Sequence, residues 1–327
     1  MVHSNTVRSI VIEKAGGPEV LTIGERPALE PGPHQLLVQT RAVGVNFIEI
    51  YQREGAYPVE HPFTPGSEGM GVVAAVGSAV EGFAPGDRIT TTQASRTYAD
   101  AFLVDADKAM RVPDGISDEV AAAIPGQGLT AHYLVRSTYP VREGEVAVIT
   151  AGAGGVGGLV VQLLKRQGAT VVALVGSEEK AETARSLGAD LALVGYGDFA
   201  DRVREFTGGR GADVVYDSVG KDTFDESLRA LRKRGMLVLF GASSGQVPPF
   251  DLQRLNRHGS LYVTRPTVDD YLQDEAERNW RAGELFDAVL DGSLTIRVEE
   301  TFPLAEARKA QEKLQSRSTQ GKLLLIP

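Results

Sequence analysis

The sequence predicts an α/β protein in two parts: a doubly wound parallel sheet and a second, β-rich domain. Three observations carry this expectation. At 327 residues the chain is longer than one typical domain. From residue 145 onward, short apolar β-branched runs alternate with helical stretches, the pattern of βαβ units in a parallel sheet. Residues 1–128 instead carry closely spaced Gly and Pro signals between short strands, which suggests a small barrel or irregular sheet.

In the β-rich part, "SIVIEKAGG" and "LTIGERPAL" are short runs broken by Gly and Pro, and "HQLLVQTRAVGVN" is a longer run after the turn signal "PGP". "GMGVVAAVGSAVEGFAPGDRIT" reads as a hairpin whose second strand follows Pro-Gly-Asp. In the alternating part, "EVAVITA", "TVVALVG", "LALVGY", "ADVVYDSVG", "MLVLFGAS" and "GSLYVTRP" are the strands. Residues 156–167, "SEEKAETARSLG", "GDFADRVREFTGG" and "KDTFDESLRALRKRG" are the helices between them. Continuous apolar strands such as "VVALV" fit burial on both faces. The tail holds two helices, "RNWRAGELFDAVLDG" and "PLAEARKAQEKLQS", and a last apolar strand, "GKLLLIP". With no helix after it, that strand is expected to return to the first domain. The predicted domains are therefore 1–128 with 269–327, and 129–268.

A net charge of −9 argues against a nucleic-acid partner, because neutralising phosphates takes a basic face. The absence of cysteine rules out disulfides and thiolate zinc sites. No apolar run approaches the roughly 20 residues that span a bilayer, and "MVHSNTVRSI" lacks the apolar stretch of a signal peptide. A cytoplasmic protein without membrane contact is expected.

"GAGGVG", Gly152 to Gly157, fits G-x-G-x-x-G between a strand and a helix, the setting of a dinucleotide-binding loop. Gly152, Gly154 and Gly157 allow a tight turn, close approach of pyrophosphate and close packing of helix on strand. The helix N-terminus offers N–H groups and partial positive charge. An NAD site usually has Asp or Glu ending the second strand, about 20 residues on. Here that strand ends at Val175 and Gly176, followed by Ser177 and Lys180. Lys180 either meets a 2′-phosphate through a charge-assisted bond or is a solvated helix lysine. None of the five histidines forms a metal-binding pair, and there is no G-x-S-x-G elbow. Hydride transfer needs neither, since the nicotinamide carries that chemistry.

The blocks "GGPEVL", "GVNFIEIYQREGAYP", "PGSEGMGVVAAVG", "AGGVGGLVVQLLK", "VVYDSVG", "GSLYVTRP" and "SRSTQGKLLLIP" together resemble NADPH:quinone oxidoreductases. These are the zeta-crystallin-like, zinc-free branch of the medium-chain dehydrogenase/reductase superfamily. The resemblance covers essentially the whole chain. It implies a GroES-like catalytic domain, a Rossmann NADPH-binding domain inserted before the C-terminal segment, and no metal. Zinc-dependent relatives carry Gly-His-Glu where this chain has "GSEG", with Ser67 in the histidine position.

By matching motif, the resemblance implies that Asn46 and Tyr51 line the cleft near the nicotinamide and that Thr130 contacts the cofactor. Gly155 and Val156 would lie under the pyrophosphate, and Ser177, Lys180 and Tyr196 around the 2′-phosphate. Phe240, Gly241, Ser243, Ser244 and Arg265 would follow the cofactor groove, with Arg317 completing it. The chain departs from the family pattern at Gly152, where the signature has Ser or Ala, and around Tyr196, which has glycine on both sides. The resemblance also implies a homodimer through the edge strand 259–266.

Three functions follow as expectations. The first is hydride transfer from NADPH to a quinone, a small-molecule acceptor. Negative charge then develops on oxygen, where a donor lowers the barrier; the Tyr51 hydroxyl, the Asn46 amide or a water could serve. The second is reduction of an enone or enoyl thioester. The third is NADPH binding without catalysis.

Overall fold

The computed structural model describes residues 6–316 and 318–327. The chain forms two compact units, Met1–Gly126 with Asp274–Pro327 and Gln127–Gln273.

The first unit opens with β1 (Thr6–Val11) and β2 (Thr22–Pro27), an antiparallel ribbon. β3 (Gln35–Val45) is an 11-residue strand leading into α1 (Phe47–Arg53). β4 (Gly69–Val76), β5 (Arg88–Thr91), β6 (Ala101–Asp105) and β7 (Met110–Arg111) follow. β4 and β5 form the expected antiparallel hairpin. This stretch is β-rich as expected, but it also holds α1 and, after β7, α2 (Asp118–Ala123). Both helices have local causes that the turn signals obscured. Ser117 caps α2 by accepting from Val120 N, acids fill its first turn, and Ala121, Ala122 and Ala123 are buried. At α1 the bond runs the other way, the Glu49 carboxylate accepting from the backbone N–H of the N-cap Asn46.

The second unit starts with α3 (Leu129–Tyr133) and then alternates. It contains β8 (Val146–Thr150), α4 (Gly155–Arg166), β9 (Thr170–Val175), α5 (Glu178–Ser186), β10 (Leu191–Val194) and α6 (Phe199–Phe206). β11 (Ala212–Asp217), α7 (Phe224–Ala230), β12 (Leu231–Leu239), α8 (Gln253–Arg257) and β13 (Tyr262–Thr264) complete it. The strands are parallel in the order β10-β9-β8-β11-β12-β13. This is the Rossmann order, with its switch point between β8 and β11. All of β8 and β11 is buried, which accounts for their uninterrupted apolar runs.

One boundary corrects the expectation. The helix predicted over residues 221–235 ends at Ala230, and β12 starts at Leu231. Arg204 from α6 donates to the carbonyls of Arg229 and Leu231, occupying acceptors at the end of α7. Leu231 is fully buried and pairs with Ala212. The helix-forming "LRKRG" thus yields to tertiary pairing.

The chain then returns to the first unit through α9 (Glu275–Leu290), β14 (Val298–Pro303), α10 (Ala307–Gln315) and β15 (Lys322–Ile326). The larger sheet of that unit runs β14-β15-β3-β4-β5-β7, with β6 also on β3. β15 pairs antiparallel with β3, with Leu323 opposite Val45. Among the described residues no helix is long and apolar enough to cross a membrane.

Candidate active site

The glycine loop joins β8 to α4 at the carboxyl edge of the parallel sheet. Ala151 takes a left-handed backbone (φ 52°) to turn the chain, and Gly154 N donates to its carbonyl at 2.8 Å. A Cβ on Gly152 would stand 2.6 Å from the Ala173 methyl, and one on Gly157 would overlap the Ala151 carbonyl. Helix and strand could not approach this closely with side chains at those two positions. The start of α4 has no acidic residue in its first turn, and its N-cap, Gly154, has no side chain to satisfy the N–H groups of Gly155, Val156 and Gly157. Bare donors and partial positive charge fit an anionic pyrophosphate. The Gln127 carboxamide lies so close to Gly155 that a Cβ there would overlap it.

The next helix begins differently. Ser177 caps α5 by accepting from Lys180 N at 3.3 Å, and Glu178 and Glu179 fill the first turn. The strand before it ends at Val175 without a carboxylate, and beyond it a Cβ on Gly176 would meet open space. Lys180 is half-buried on the first turn of α5, and Tyr196 follows the neighbouring strand β10 and packs against the unit's core. Ser177, Lys180 and Tyr196 therefore share one end of the sheet.

Two loops clasp each other across the switch point and β12. Ser218 N donates to Thr150 Oγ1 at 2.8 Å, linking the ends of β8 and β11. Asp217, fully buried, accepts from Val219 N, Gly220 N, Thr223 Oγ1 and Ser227 Oγ through its carboxylate. Its carbonyl accepts from Phe240 N and Gly241 N. Ser243 N donates to Ser218 O. The Ser244 hydroxyl donates to Val219 O at 2.8 Å and accepts from Asp222 N at 3.0 Å, so it holds the clasp together. Arg265 is exposed just past β13, and Thr130 is half-buried on α3. Arg317 lies outside the described residues.

In the first unit, Asn46 and Tyr51 sit on one short helix. Asn46 is the N-cap of α1, and its backbone N–H donates to Glu49 Oε2 at 2.7 Å. Tyr51 stacks on Phe47 (6.2 Å between ring centroids) and meets Tyr57 edge-on (5.5 Å). The Asn46 carboxamide is held on both sides. Its Nδ2 donates to Glu68 Oε2 at 2.9 Å, and its Oδ1 accepts from Lys322 Nζ at 2.7 Å. Glu68 and Lys322 form an ion pair with both side chains fully buried, and Glu68 Oε1 also accepts from Gly126 N. Glu49 is fully buried too. Burial pushes its carboxyl up to about 7, against the pull of Lys322 and of the Asn46 N–H, and its Oε1 has no hydrogen-bond partner among the described residues.

Two family models match successive parts of the chain. Residues 32–143 match the alcohol dehydrogenase GroES-like domain, and residues 155–276 match the zinc-binding dehydrogenase domain. A quinone oxidoreductase of Salmonella typhimurium is 43% identical over 324 residues, 97% of this chain and 99% of that protein. The structure of mycobacterial Rv1454c complexed with NADPH superposes with a TM-score of 0.95 at 44% identity, covering 98% of this chain and all of that one. Escherichia coli quinone oxidoreductase complexed with NADPH gives 0.95 at 41% identity, with 98% and 100% coverage. The chain belongs to the zinc-free quinone oxidoreductase family.

Within this quinone oxidoreductase, the second unit brings the glycine loop, Ser177, Lys180, Tyr196, Phe240, Gly241, Ser243 and Ser244 to the carboxyl edge of one sheet. The first unit joins Asn46 and Tyr51 on α1. Sequence reasoning missed Glu49, Glu68 and Lys322 around Asn46, and Gln127 against Gly155. For Lys322 a signal was present: a lysine opening "KLLLI" sits where a strand is buried, and a buried ammonium needs a paired carboxylate. Among the described residues no three His, Asp or Glu side chains form a group able to hold a metal ion.

Proposed function

We propose that this protein is an NADPH-dependent quinone reductase that works without a metal. The observation that carries this is the uncapped, glycine-lined start of α4, in a chain matched end to end by quinone oxidoreductases, two of whose close structural counterparts are NADPH complexes. The α4 N–H groups hold the pyrophosphate, and Lys180, with Ser177, Tyr196 and Arg317, reads the 2′-phosphate. Thr130, Phe240, Gly241, Ser243 and Arg265 line the rest of the cofactor groove, and Ser244 shapes it. When bound, the nicotinamide supplies a hydride. One hydride and one proton convert the quinone to a quinol and NADPH to NADP⁺. Asn46 and Tyr51 orient the acceptor and donate to the oxygen on which charge develops, a role that is strongest where water is excluded.

The reading extends to assembly and place. β13 is an edge of its sheet and Tyr262 on it is 58% exposed. Open edges favour pairing with a second copy, and we assign a homodimer to this strand and a cytoplasmic location to the protein. Light scattering giving the mass of a single chain at micromolar concentration would count against the dimer. The functional test is NADPH oxidation, followed by absorbance with and without a chelator, over ortho- and para-quinones, enones and enoyl thioesters. The expected result is chelator-resistant turnover, fastest with quinones. Faster turnover with enones or thioesters would reassign the acceptor, and no turnover with any would leave a binding protein.

A further inference from the structure

We propose that Glu68 and Lys322 are positioning residues that fix the orientation of the Asn46 carboxamide, so that its second Nδ2–H is the donor offered to the acceptor oxygen. This rests on the quinone-reductase reading for the identity of the acceptor, while the orientation itself stands on geometry alone.

The sheet register builds the arrangement. Leu323 of β15 lies opposite Val45 of β3, so the preceding Lys322 falls beside Asn46, the residue after Val45. Met70 of β4 lies opposite Ala42, and two residues further along, Glu68 comes to Gly44. Gly44 makes room for both. A Cβ there would stand 2.6 Å from the Glu68 carboxyl carbon and 2.7 Å from Lys322 Cε. Three segments distant in sequence thus meet at one carboxamide.

The chemistry of the partners settles which way that carboxamide faces. An ammonium only donates and a carboxylate only accepts. Lys322 Nζ therefore takes the oxygen of Asn46 at 2.7 Å, and Glu68 Oε2 takes the nitrogen at 2.9 Å. A flipped amide would set its N–H₂ against the ammonium and its oxygen against the carboxylate, losing both bonds in a site where Glu68 and Lys322 are fully buried. The backbone of the same residue is held as well, through Asn46 N and Glu49 Oε2. Each carboxamide nitrogen carries two hydrogens. One is spent on Glu68, and among the described residues no acceptor takes the other. Asn46 is half-buried while Glu49, Glu68 and Lys322 are buried, so this residue is the point where the network reaches the surface of its unit. A donor oriented beforehand needs no reorganisation when charge appears on an oxygen.

Replacing Lys322 alone would strand a buried carboxylate and endanger folding. The test therefore uses the paired variant Glu68→Gln/Lys322→Met, which removes both charges together, alongside Asn46→Ala and the triple variant. The first readout needs no turnover. In isotopically labelled protein the two Asn46 side-chain protons should give separate signals, the one bonded to Glu68 exchanging with solvent much more slowly than the other, and the paired variant should remove that difference while keeping its NADPH dissociation constant. The second readout is kcat with a para-quinone. The paired variant and Asn46→Ala should each lose about tenfold, the effect of roughly one hydrogen bond, and the triple variant should lose no more than Asn46→Ala. Equally fast exchange of both Asn46 protons in the wild type would overturn the proposal whatever the activity. So would a paired variant with wild-type kcat, or losses that multiply in the triple variant. A wild type that turns over no quinone would refute the functional reading, and the exchange measurement would still decide the orientation.

Discussion

The two regions of this protein that carry its candidate functional residues are built by opposite means. At the start of α4 the groups on offer are backbone N–H groups, and the sequence contributes mainly by withholding side chains: Gly152, Gly154, Gly155 and Gly157 leave bare donors and close approach. Around Asn46 the groups are side chains. Asn46, Glu68 and Lys322 come from three strands' ends and are joined by register. A backbone site is contiguous in the chain, while a side-chain site is scattered along it. The first also resists addition of atoms, and the second resists loss of a partner. Even helix starts show the contrast: α4 opens on a bare glycine, whereas α5 opens on Ser177 with acids behind it and satisfies itself.

The largest effect is expected where backbone meets backbone. Gly157→Ala drives a Cβ into the Ala151 carbonyl. Overpacking of this kind costs roughly 1–3 kcal/mol, and widening the loop should also weaken NADPH by about a hundredfold, at about 1.4 kcal/mol per factor of ten. Gly283→Ala, inside α9 and away from the loop, is the matched control, because a Cβ there meets nothing. Calorimetric Tm and NADPH titration on both variants check this. Equal behaviour of the two would mean that the loop is not a cradle.

The second expectation tests the side-chain region through pH. Burial raises the Glu49 carboxyl from 4.5 to about 7, with Lys322 and the Asn46 N–H opposing and Glu68 adding to the rise. The folded state therefore holds this proton more tightly than the unfolded chain. Glu49's contribution to stability is then greatest at low pH, falls as pH climbs from 4.5 to about 7, and is flat above that. Glu49→Gln should match the wild type near the acid end. At alkaline pH it should exceed the wild type by about 3 kcal/mol, at roughly 1.4 kcal/mol for each pH unit by which burial raises the carboxyl. Urea denaturation of both proteins at several pH values gives the difference directly. A difference that does not change with pH would show that Glu49 titrates normally.

The smallest of the three probes how far a side chain contributes to the backbone-built region. In the proposed reading Lys180→Ala removes one charged partner of the 2′-phosphate, and a hydrogen bond to a charged group is worth roughly 1.5–3 kcal/mol. NADPH should weaken about ten- to a hundredfold, and NADH should barely change. Equal weakening of both cofactors would assign Lys180 to the pyrophosphate or to the fold.

The same contrast governs what could be read before the structure. The βαβ alternation, the glycine loop, the acid-free end of β9 and the return of "GKLLLIP" were legible, because each is a pattern within a short window. The start of α2 was hidden because "DEVAAA" lies among turn signals, and the end of α7 because Arg204, from a different helix, takes its last carbonyls. Asn46 and Tyr51 entered through family resemblance alone. Glu68 and Lys322 stood inside recognisable motifs, yet nothing local links two residues that a sheet register brings together. Glu49 could not be told from a surface helix acid without knowing that α1 buries it.

In the proposed reading the sheet edge around Gly176 and Lys180 selects a phosphorylated dinucleotide. The most direct measurement is the pair of dissociation constants of the wild-type protein for NADPH and NADH under one set of conditions. One charge-assisted contact predicts NADPH tighter by at least about tenfold. NADH binding as tightly as NADPH would contradict the account.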